Sequence, residues 1–515
     1  MKYLIIFLWF LLFSKKLFFW VWLWQLKEYH VGRFKAHFQT EKGKKIINRY
    51  SLIAKTLLAF GLVFDYIFVY VLAFVFLAEI FKNLYSRNFR IPVITKKTSI
   101  ILGTGFVLEI LIIIYFSILP DKIFYIALLT LNILSPLFFS GLIFAFEPAA
   151  VFWRKKTIKR ATQKIESFRD LKVIGITGSY GKTSTKEFLA EILSDKFKVL
   201  KTKEHQNSEM GVSRCILEDL KPEHQVFLCE MGAYKKGGIK MLADIVKPKI
   251  GILTGINEQH LATFGSLENI IKTKYELVES LPLEGIAIFN GSNKYCSDLY
   301  EKTKVLKRIS GKDIMVKEIK KEKEFISFNV SDGKDSENLR VNLLGEYWIE
   351  DLLLAILAAK ELGMTLKEIS IASKKIKPFP RAANLIKTKQ GFNIIDATYS
   401  ANFNGVISHL EYLKVWAGKK LIVMPCLIEL GEAAEEVHFK IGEKIGEVCD
   451  SAIITTKDFF KEIKMGAVKK GMKEEKFLFM ENPKEIFEII KEFSGKEDII
   501  LLESRIPKKL FYFLK

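Results

Sequence analysis

The chain has 515 residues and a net charge of +21, which is length for about three or four domains of ~150 residues each. Its five cysteines (Cys215, Cys229, Cys296, Cys426 and Cys449) are odd in number and widely spaced. That excludes a disulfide framework and a C-x-x-C zinc site, and reads as reduced cytosolic thiols. Lys and Arg outnumber Asp and Glu by 17 to 7 in the first 150 residues and by 62 to 51 in the rest. In the larger part the lysines interleave with glutamates, as at 317–324 and 469–476, the pattern of a solvated surface rather than a nucleic-acid interface. Basic charge beside the apolar runs suits anionic lipid.

Residues 3–26 are apolar except for Ser14-Lys15-Lys16 and Gln25, and are rich in Phe and Trp. Such a stretch can span, tilt or lie at a membrane interface, and no small-residue cleavage site marks it for removal. A basic segment, 24–38, follows. Three longer apolar runs come next: 52–81, broken by Lys55 and Asp65, then 99–119 and 123–146, separated by Pro120-Asp121-Lys122. Each is long enough to cross a hydrocarbon core of about 30 Å. Basic flanks at 82–97 and 154–160 put both ends of the last pair in the cytoplasm. Residues 33–49 are equally basic, and a single crossing at 52–81 would place them outside. Thirty residues at about 1.5 Å each exceed one bilayer, so this run reads as re-entrant, double or strongly tilted. Asp65 and Glu109 inside these runs are either functional or paired within the bundle. An α-helical transmembrane domain is expected over 1–150.

A basic, helix-compatible linker covers 151–170, and residues 173–184 then read VIGITGSYGKTS. β-Branched residues predict a buried strand, Gly178 to Gly181 a loop, and Phe188, Leu189, Ile192, Leu193 and Phe197 the apolar stripe of a helix. Strand, Gly-rich loop, Lys-Thr and helix make a phosphate cradle: backbone N–H groups face the anion, Lys182 adds a cation, and the Thr183 hydroxyl can bind Mg²⁺. Strand-like runs recur at 225–230, 249–256 and 285–290, with further strands at 325–330 and 339–344 and a helix at 347–362. This predicts an α/β P-loop ATPase domain with a mainly parallel sheet over 151–376. Glu230, ending its strand across from Thr183, stands where a Mg²⁺ ligand would sit. The run 377–381, KPFPR, breaks the pattern. Strands at 392–396, 420–425, 452–456, 476–480 and 498–503, with helices between, predict a smaller Rossmann-like domain over 377–515.

These residues resemble the Mur ligase family, ATP-dependent amide-bond ligases of cell-wall precursor synthesis. The family's loop, T-G-[ST]-x-G-K-[ST]-[ST], is matched without a gap by Thr177, Gly178, Ser179, Tyr180, Gly181, Lys182, Thr183 and Ser184. That accounts for Ile176 where a general phosphate loop has its first glycine. The family's metal-binding Glu matches Glu230, its Asn-to-His stretch resembles Asn257 to His260, and its lysine, carbamoylated in several members, matches Lys274. Its adenine-side Asn resembles Asn290, and its γ-phosphate Arg resembles Arg381. The D-D-x-Y-N-A-N-P signature resembles 396–403, DATYSANF, which points to the D-alanyl-D-alanine-adding branch. Residues 205–211 resemble that branch's N-x-N-N-x-x-G, with His205 and Ser208 in place of two Asn. M-x-E-L-G is echoed at 427–431, with His438 beyond, and K-G-S-R at 502–505. Departures fall mainly on the acceptor side: Tyr347-Trp348 replace a His-Asn pair, and Ala397, Ser400, Phe403 and Leu502 replace family residues. The family's soluble N-terminal domain, which grips a uridine-nucleotide sugar, has apolar runs in its place.

The resemblance implies ATP and Mg²⁺ as cofactors. It implies Lys182, Lys274, His260 and Arg381 as catalytic, and Thr183, Glu230, His260 and carbamoylated Lys274 as metal ligands. The phosphate loop, Asn257, Asn290, Arg381 and Asp396 would hold the nucleotide; Asn207, Tyr399, Asn402, Ser504 and Arg505 would hold substrate. The expected activity adds an amino acid or dipeptide, such as D-alanyl-D-alanine, to a cell-envelope precursor, at the cytoplasmic membrane with the catalytic domains in the cytoplasm. Alternatives are a related ligase on a polyglutamate or a non-murein wall polymer, or a non-catalytic nucleotide-binding protein of envelope assembly.

Overall fold

The computed structural model describes the chain apart from Glu28, His30, Gln39, Lys45, Ile47, Asn48, residues 86–88, Glu204, His205, Gln259, His260, residues 378–382, residues 399–401, Glu429, Ser494 and Lys515, and the side chains of Arg33, Ala36, Glu41, Lys42, Arg49 and Ala262. It divides into two compact units, Met1–Lys156 and Thr157–Lys515.

The first unit is helical. Four helical stretches, Lys2–Leu26, Phe68–Tyr85, Lys96–Ser117 and Asp121–Glu166, are long and apolar enough to cross a membrane. The apolar run 52–81 is two helices, Arg49–Phe64 and Phe68–Tyr85. Asp65 divides them: its carboxylate accepts the Ile67 N–H at 2.9 Å, a local turn that competes with the helical ladder. The helices run back and forth, so their ends gather in two places. At one, Lys2 pairs with Asp121 at 3.0 Å, Lys122 donates to the Val63 carbonyl at 3.2 Å, and the Tyr66 and Tyr125 hydroxyls meet at 3.3 Å. At the other, Gln25 exchanges two hydrogen bonds with the Val93 backbone, and Lys97 pairs with Glu147 at 3.0 Å. Between these ends Trp9, Phe13, Phe124, Tyr125 and Phe139 are fully buried, and the Trp9 indole N–H is satisfied by the Leu128 carbonyl at 2.8 Å.

The second unit holds three sheets. The first is built from β1 (Lys172–Thr177), β2 (Val199–Lys201), β3 (Val226–Glu230), β4 (Ile250–Leu253), β5 (Ile286–Phe289) and β6 (Leu306–Ile309), all parallel in the order β2-β3-β1-β4-β5-β6. From β1 the chain builds outward both ways, so the carboxyl end of β1 is the switch point where open α/β sheets take ligands. An antiparallel sheet of β7 (Met315–Lys321), β8 (Ile326–Ser331) and β9 (Ser336–Val341) shares its apolar core with Phe188 and Leu352. The third sheet comprises β10 (Asn384–Lys387), β11 (Asn393–Ala397), β12 (Lys420–Met424), β13 (Ser451–Ile454), β14 (Phe477–Phe479) and β15 (Ile499–Glu503) in the order β10-β11-β15-β12-β13-β14. It is parallel except for the antiparallel edge pair β10–β11. The strands with no counterpart in the sequence reading are β2, β6, β7 and β10. Each is short or lysine-bearing. β7, MVKEIKK, lies almost wholly in solvent, as charged edge strands do.

Candidate active site

The phosphate loop follows β1 and leads into the helix Lys182–Leu193, whose Phe188, Leu189, Ile192 and Leu193 are buried as the stripe predicts. Gly181 caps that helix with φ +76°, a left-handed conformation, and a Cβ there would collide with the Asp351 carboxylate. Gly178 is crowded by the Thr254 hydroxyl in the same way. The Lys182 ammonium lies along the loop, donating to the Gly178 carbonyl at 2.8 Å and the Ser179 carbonyl at 3.1 Å. Burial lowers its pKa, opposed by Glu230 and Asp351. Tyr180 turns its ring over Gly255 and accepts from the Asn293 amide at 3.2 Å.

Glu230, the last residue of β3, collects three donors. The Thr183 hydroxyl reaches one carboxylate oxygen at 3.0 Å, the Lys186 ammonium reaches the same oxygen at 3.1 Å, and the Asn207 amide reaches the other at 3.1 Å. Burial pushes this carboxyl up, but Lys186, Lys182 and the hydrogen bonds together outweigh it and hold it below the usual range. Glu230 is therefore ionised beside the Thr183 hydroxyl. Lys186 has no exposed surface and also donates to the Thr202 carbonyl at 2.8 Å. It was not singled out in the sequence, although it stands one turn beyond Lys182 on the same helix face, the i,i+4 relation that could have found it.

Lys274 lies on the helix Leu267–Glu279, buried and within electrostatic reach of Lys182. Burial and then Lys182 bring its pKa down to about 7, with Glu276 opposing. Asp351, on the helix Ile349–Glu361, accepts a hydrogen bond from the Ser184 hydroxyl, and burial raises its pKa to about 7. Asp351 carries no distinguishing sequence signal, because an acidic residue near a helix start looks like a first-turn charge.

The other expected residues are placed as follows. Asn257 donates its backbone N–H to the Ser179 hydroxyl at 3.2 Å and its amide to the Asn404 side chain at 2.9 Å. That bond ties the loop beside the phosphate cradle to the start of the helix Phe403–Leu413. Asn290 follows β5, with its side chain held by the Thr254 carbonyl and the Ser292 N–H, at 2.7 and 2.9 Å. Asp396 accepts from the Thr398 backbone and hydroxyl, at 3.1 and 2.6 Å. Asn402 caps its helix through the Gly405 N–H at 3.0 Å. Ser504, with φ +61°, donates its N–H to the Ala397 carbonyl, and Arg505 is exposed. His438 is a buried structural residue, accepting the Leu427 N–H at 2.9 Å and bonded to the Ala434 carbonyl at 2.6 Å. His260, Arg381 and Tyr399 lie outside the described residues, as do His205 and Glu429.

Two family models match this chain: the Mur ligase middle domain over residues 176–359, and the Mur ligase glutamate ligase domain over residues 383–505. Together they cover more than half of it. The chain belongs to the Mur ligase family. It is 28% identical to the UDP-N-acetylmuramoyl-tripeptide–D-alanyl-D-alanine ligase of Bacillus subtilis (strain 168), over 67% of this chain and 75% of that one. Three further ligases of that name are matched over only 59%, 61% and 62% of their length. Among solved structures, MurF from Acinetobacter baumannii superposes with a TM-score of 0.63 at 26% identity, covering 68% of this chain and 77% of that one. MurF from Thermotoga maritima, in complex with ADP, gives a TM-score of 0.63 at 24% identity over 70% and 83%, a likeness of fold. The matched middle domain takes in Thr177 to Ser184, Glu230 and Lys274.

Proposed function

We propose that this Mur ligase is an ATP-dependent amide-bond ligase that adds D-alanyl-D-alanine to a peptide-bearing, muramoyl-type cell-envelope precursor. We place it at the cytoplasmic face of a membrane in which residues 1–150 are embedded, with 151–376 as its ATP-binding domain and 377–515 as its C-terminal domain. The carrying observation is the convergence of Lys182, Thr183, an ionised Glu230 and a Lys274 whose pKa burial brings down to about 7, at the carboxyl end of β1. The similarity to ligases of that substrate class supports the choice of substrates.

An acceptor carboxylate attacks the γ-phosphorus of ATP, the bond to the β-phosphate oxygen breaks, and ADP leaves. The resulting acyl phosphate is attacked at its carbonyl by the amine of the incoming dipeptide; phosphate departs, the amine loses a proton, and an amide remains. Negative charge builds on the transferred phosphoryl oxygens, and Lys182, the loop N–H groups and Arg381 neutralise it. Thr183 and Glu230 offer oxygen ligands only, which fits Mg²⁺, an ion that takes one or two carboxylates plus substrate phosphates. When bound, it supplies further charge neutralisation at the phosphates. Among the described residues no three His, Cys, Asp or Glu side chains gather into a larger cage. Lys274 has its amine poised to be free near pH 7. A free amine captures CO₂ as a carbamate with loss of a proton, and a carbamate with His260 would hold a second cation. Asn257, Asn290 and Asp396 are assigned to the nucleotide side, and Asn207, Tyr399, Asn402, Ser504 and Arg505 to the substrate side.

The membrane assignment rests on the helices of the first unit and on their outer surface, where Phe60, Phe74, Ile114 and Leu137 are all exposed. Such a surface suits lipid and is costly in water. The turn at Asp65 makes 49–85 a hairpin. Residues 33–49 then share a side with 82–97 and 147–160, which satisfies the positive-inside rule without conflict.

Purified full-length protein should release phosphate from ATP only when a UDP-N-acetylmuramoyl-tripeptide and D-alanyl-D-alanine are both present. Lys182→Ala should abolish the release. Full activity in that variant, or release with neither co-substrate, overturns the assignment. Product formed with glutamate in place of the dipeptide would move it to the polyglutamate-type alternative.

A further inference from the structure

Within the helical unit, Lys55 and Lys16 meet at Asn132, with Glu79 paired to Lys55 and Lys15 near by. Lys55 pairs with Glu79 at 2.6 Å and donates to the Asn132 side-chain oxygen at 3.0 Å. Lys16 donates to the Asn132 carbonyl at 2.7 Å and to its side-chain oxygen at 2.8 Å. Lys15 lies within electrostatic reach of Glu79 and Lys16. These residues come from four helices, Lys2–Leu26, Arg49–Phe64, Phe68–Tyr85 and Asp121–Ala145. The buried carboxylate of this unit, Glu109, faces away. It accepts from Ser14 at 2.7 Å, and Ser14 is about 200° around the helix from Lys16.

The imbalance has a single sign. Three lysines stand by one carboxylate, and the buried Asn132 amide nitrogen is a donor with no acceptor. A charge inside an apolar bundle is costly unless paired, so this cluster lacks anionic oxygen. The cluster is also reachable: the Glu79 side chain is 28% exposed on the bundle surface. Along the helices, Lys55 lies six residues from Arg49 and Lys16 ten residues from Leu26, or about 9 and 15 Å from the basic end of the bundle at ~1.5 Å per residue.

We propose that Lys15, Lys16, Lys55 and Asn132 form an intramembrane site for a phosphate or diphosphate group. The head of a phosphorylated lipid and free phosphate share this chemistry. The site rests on the membrane reading of residues 1–150 but not on the ligase reaction, and it would let the bundle hold a lipid-linked acceptor. It is tested with full-length protein in nanodiscs of zwitterionic lipid, titrated with a long-chain polyprenyl diphosphate, with inorganic diphosphate and with inorganic phosphate, with binding followed by ³¹P NMR. Polyprenyl diphosphate should bind and Lys16→Gln and Lys55→Gln should each weaken it about tenfold, the scale of one lost charge contact. Tighter binding of the inorganic ions that is weakened by Lys16→Gln and Lys55→Gln would keep the site and make its ligand soluble. Glu79→Gln separates the site from a mere structural ion pair. It removes the competing carboxylate, so anion binding should tighten, whereas a purely structural cluster would lose thermal stability with no change in binding. Lys182→Ala should bind the polyprenyl diphosphate as the parent does, so a failed ligase assignment leaves this result readable. Binding of none of the three anions, or binding unchanged in both lysine variants, overturns the proposal.

Discussion

Lys186 is the residue on which the charge state of the site depends. It is fully buried against Glu230, so Lys186→Met strands a buried carboxylate. Breaking a buried pair in this way costs about 3–5 kcal/mol. The folded pKa of Glu230 is depressed while Lys186 is present, so the pair's stabilisation is complete above the unfolded carboxylate range and is lost as pH falls through the depressed value. The deficit of Lys186→Met should therefore be large at neutral pH and shrink in acid, as read by melting temperature against pH. Asp351 has the opposite sign. Its folded pKa, about 7, lies above its unfolded value, so its contribution erodes as pH rises from about 4 to about 7 and stays low beyond. Asp351→Asn should melt higher than the parent above pH 7, by roughly 4 kcal/mol at most, with the gain gone below about pH 4. Lys274 carries a functional prediction. With its pKa brought to about 7, turnover should rise with pH through that value and fall when CO₂ is stripped from the buffer. A rate indifferent to both would separate Lys274 from carbamate chemistry.

At the scale of elements, the junction of β1 and the helix Lys182–Leu193 depends on Gly181. Gly181→Ala forces a side chain into the left-handed region, at about 1–2 kcal/mol, and drives it into Asp351. Nucleotide affinity should drop about tenfold while the fold persists, measured by titration with labelled ADP. This junction was readable in the sequence because strand, loop and helix each carry their own local signal. The buried strands β3, β4, β5, β12, β13 and β15 were readable for the same reason, as short apolar runs. The edge strands β7 and β10 were not: their lysines and asparagine look like loop, and only pairing with a neighbour makes them strands. At the site, Lys182, Thr183 and Glu230 follow from spacing. Asp351 and the Asn257–Asn404 bond follow from contacts between residues 167 and 147 apart, which no local pattern encodes.

At the scale of the molecule, the proposed membrane unit predicts which segments share a side. Single cysteines placed at 33–38, 82–85 or 96–97 should all be labelled from the same face by a membrane-impermeant maleimide, and one at Asp65 from the other. Labelling of 33–38 with Asp65 would return 52–81 to a single crossing. The turn at Asp65 has a further consequence, one of parity. In the proposed membrane reading, the four span-length helices and the shorter Arg49–Phe64 run end to end between Met1 and Glu147, an odd number, so Met1 and Glu147 would emerge on opposite faces of the bilayer; with 52–81 as a single crossing the count is four and they would emerge together. A reporter that matures only outside the cytoplasm, fused ahead of Met1, reads that parity directly.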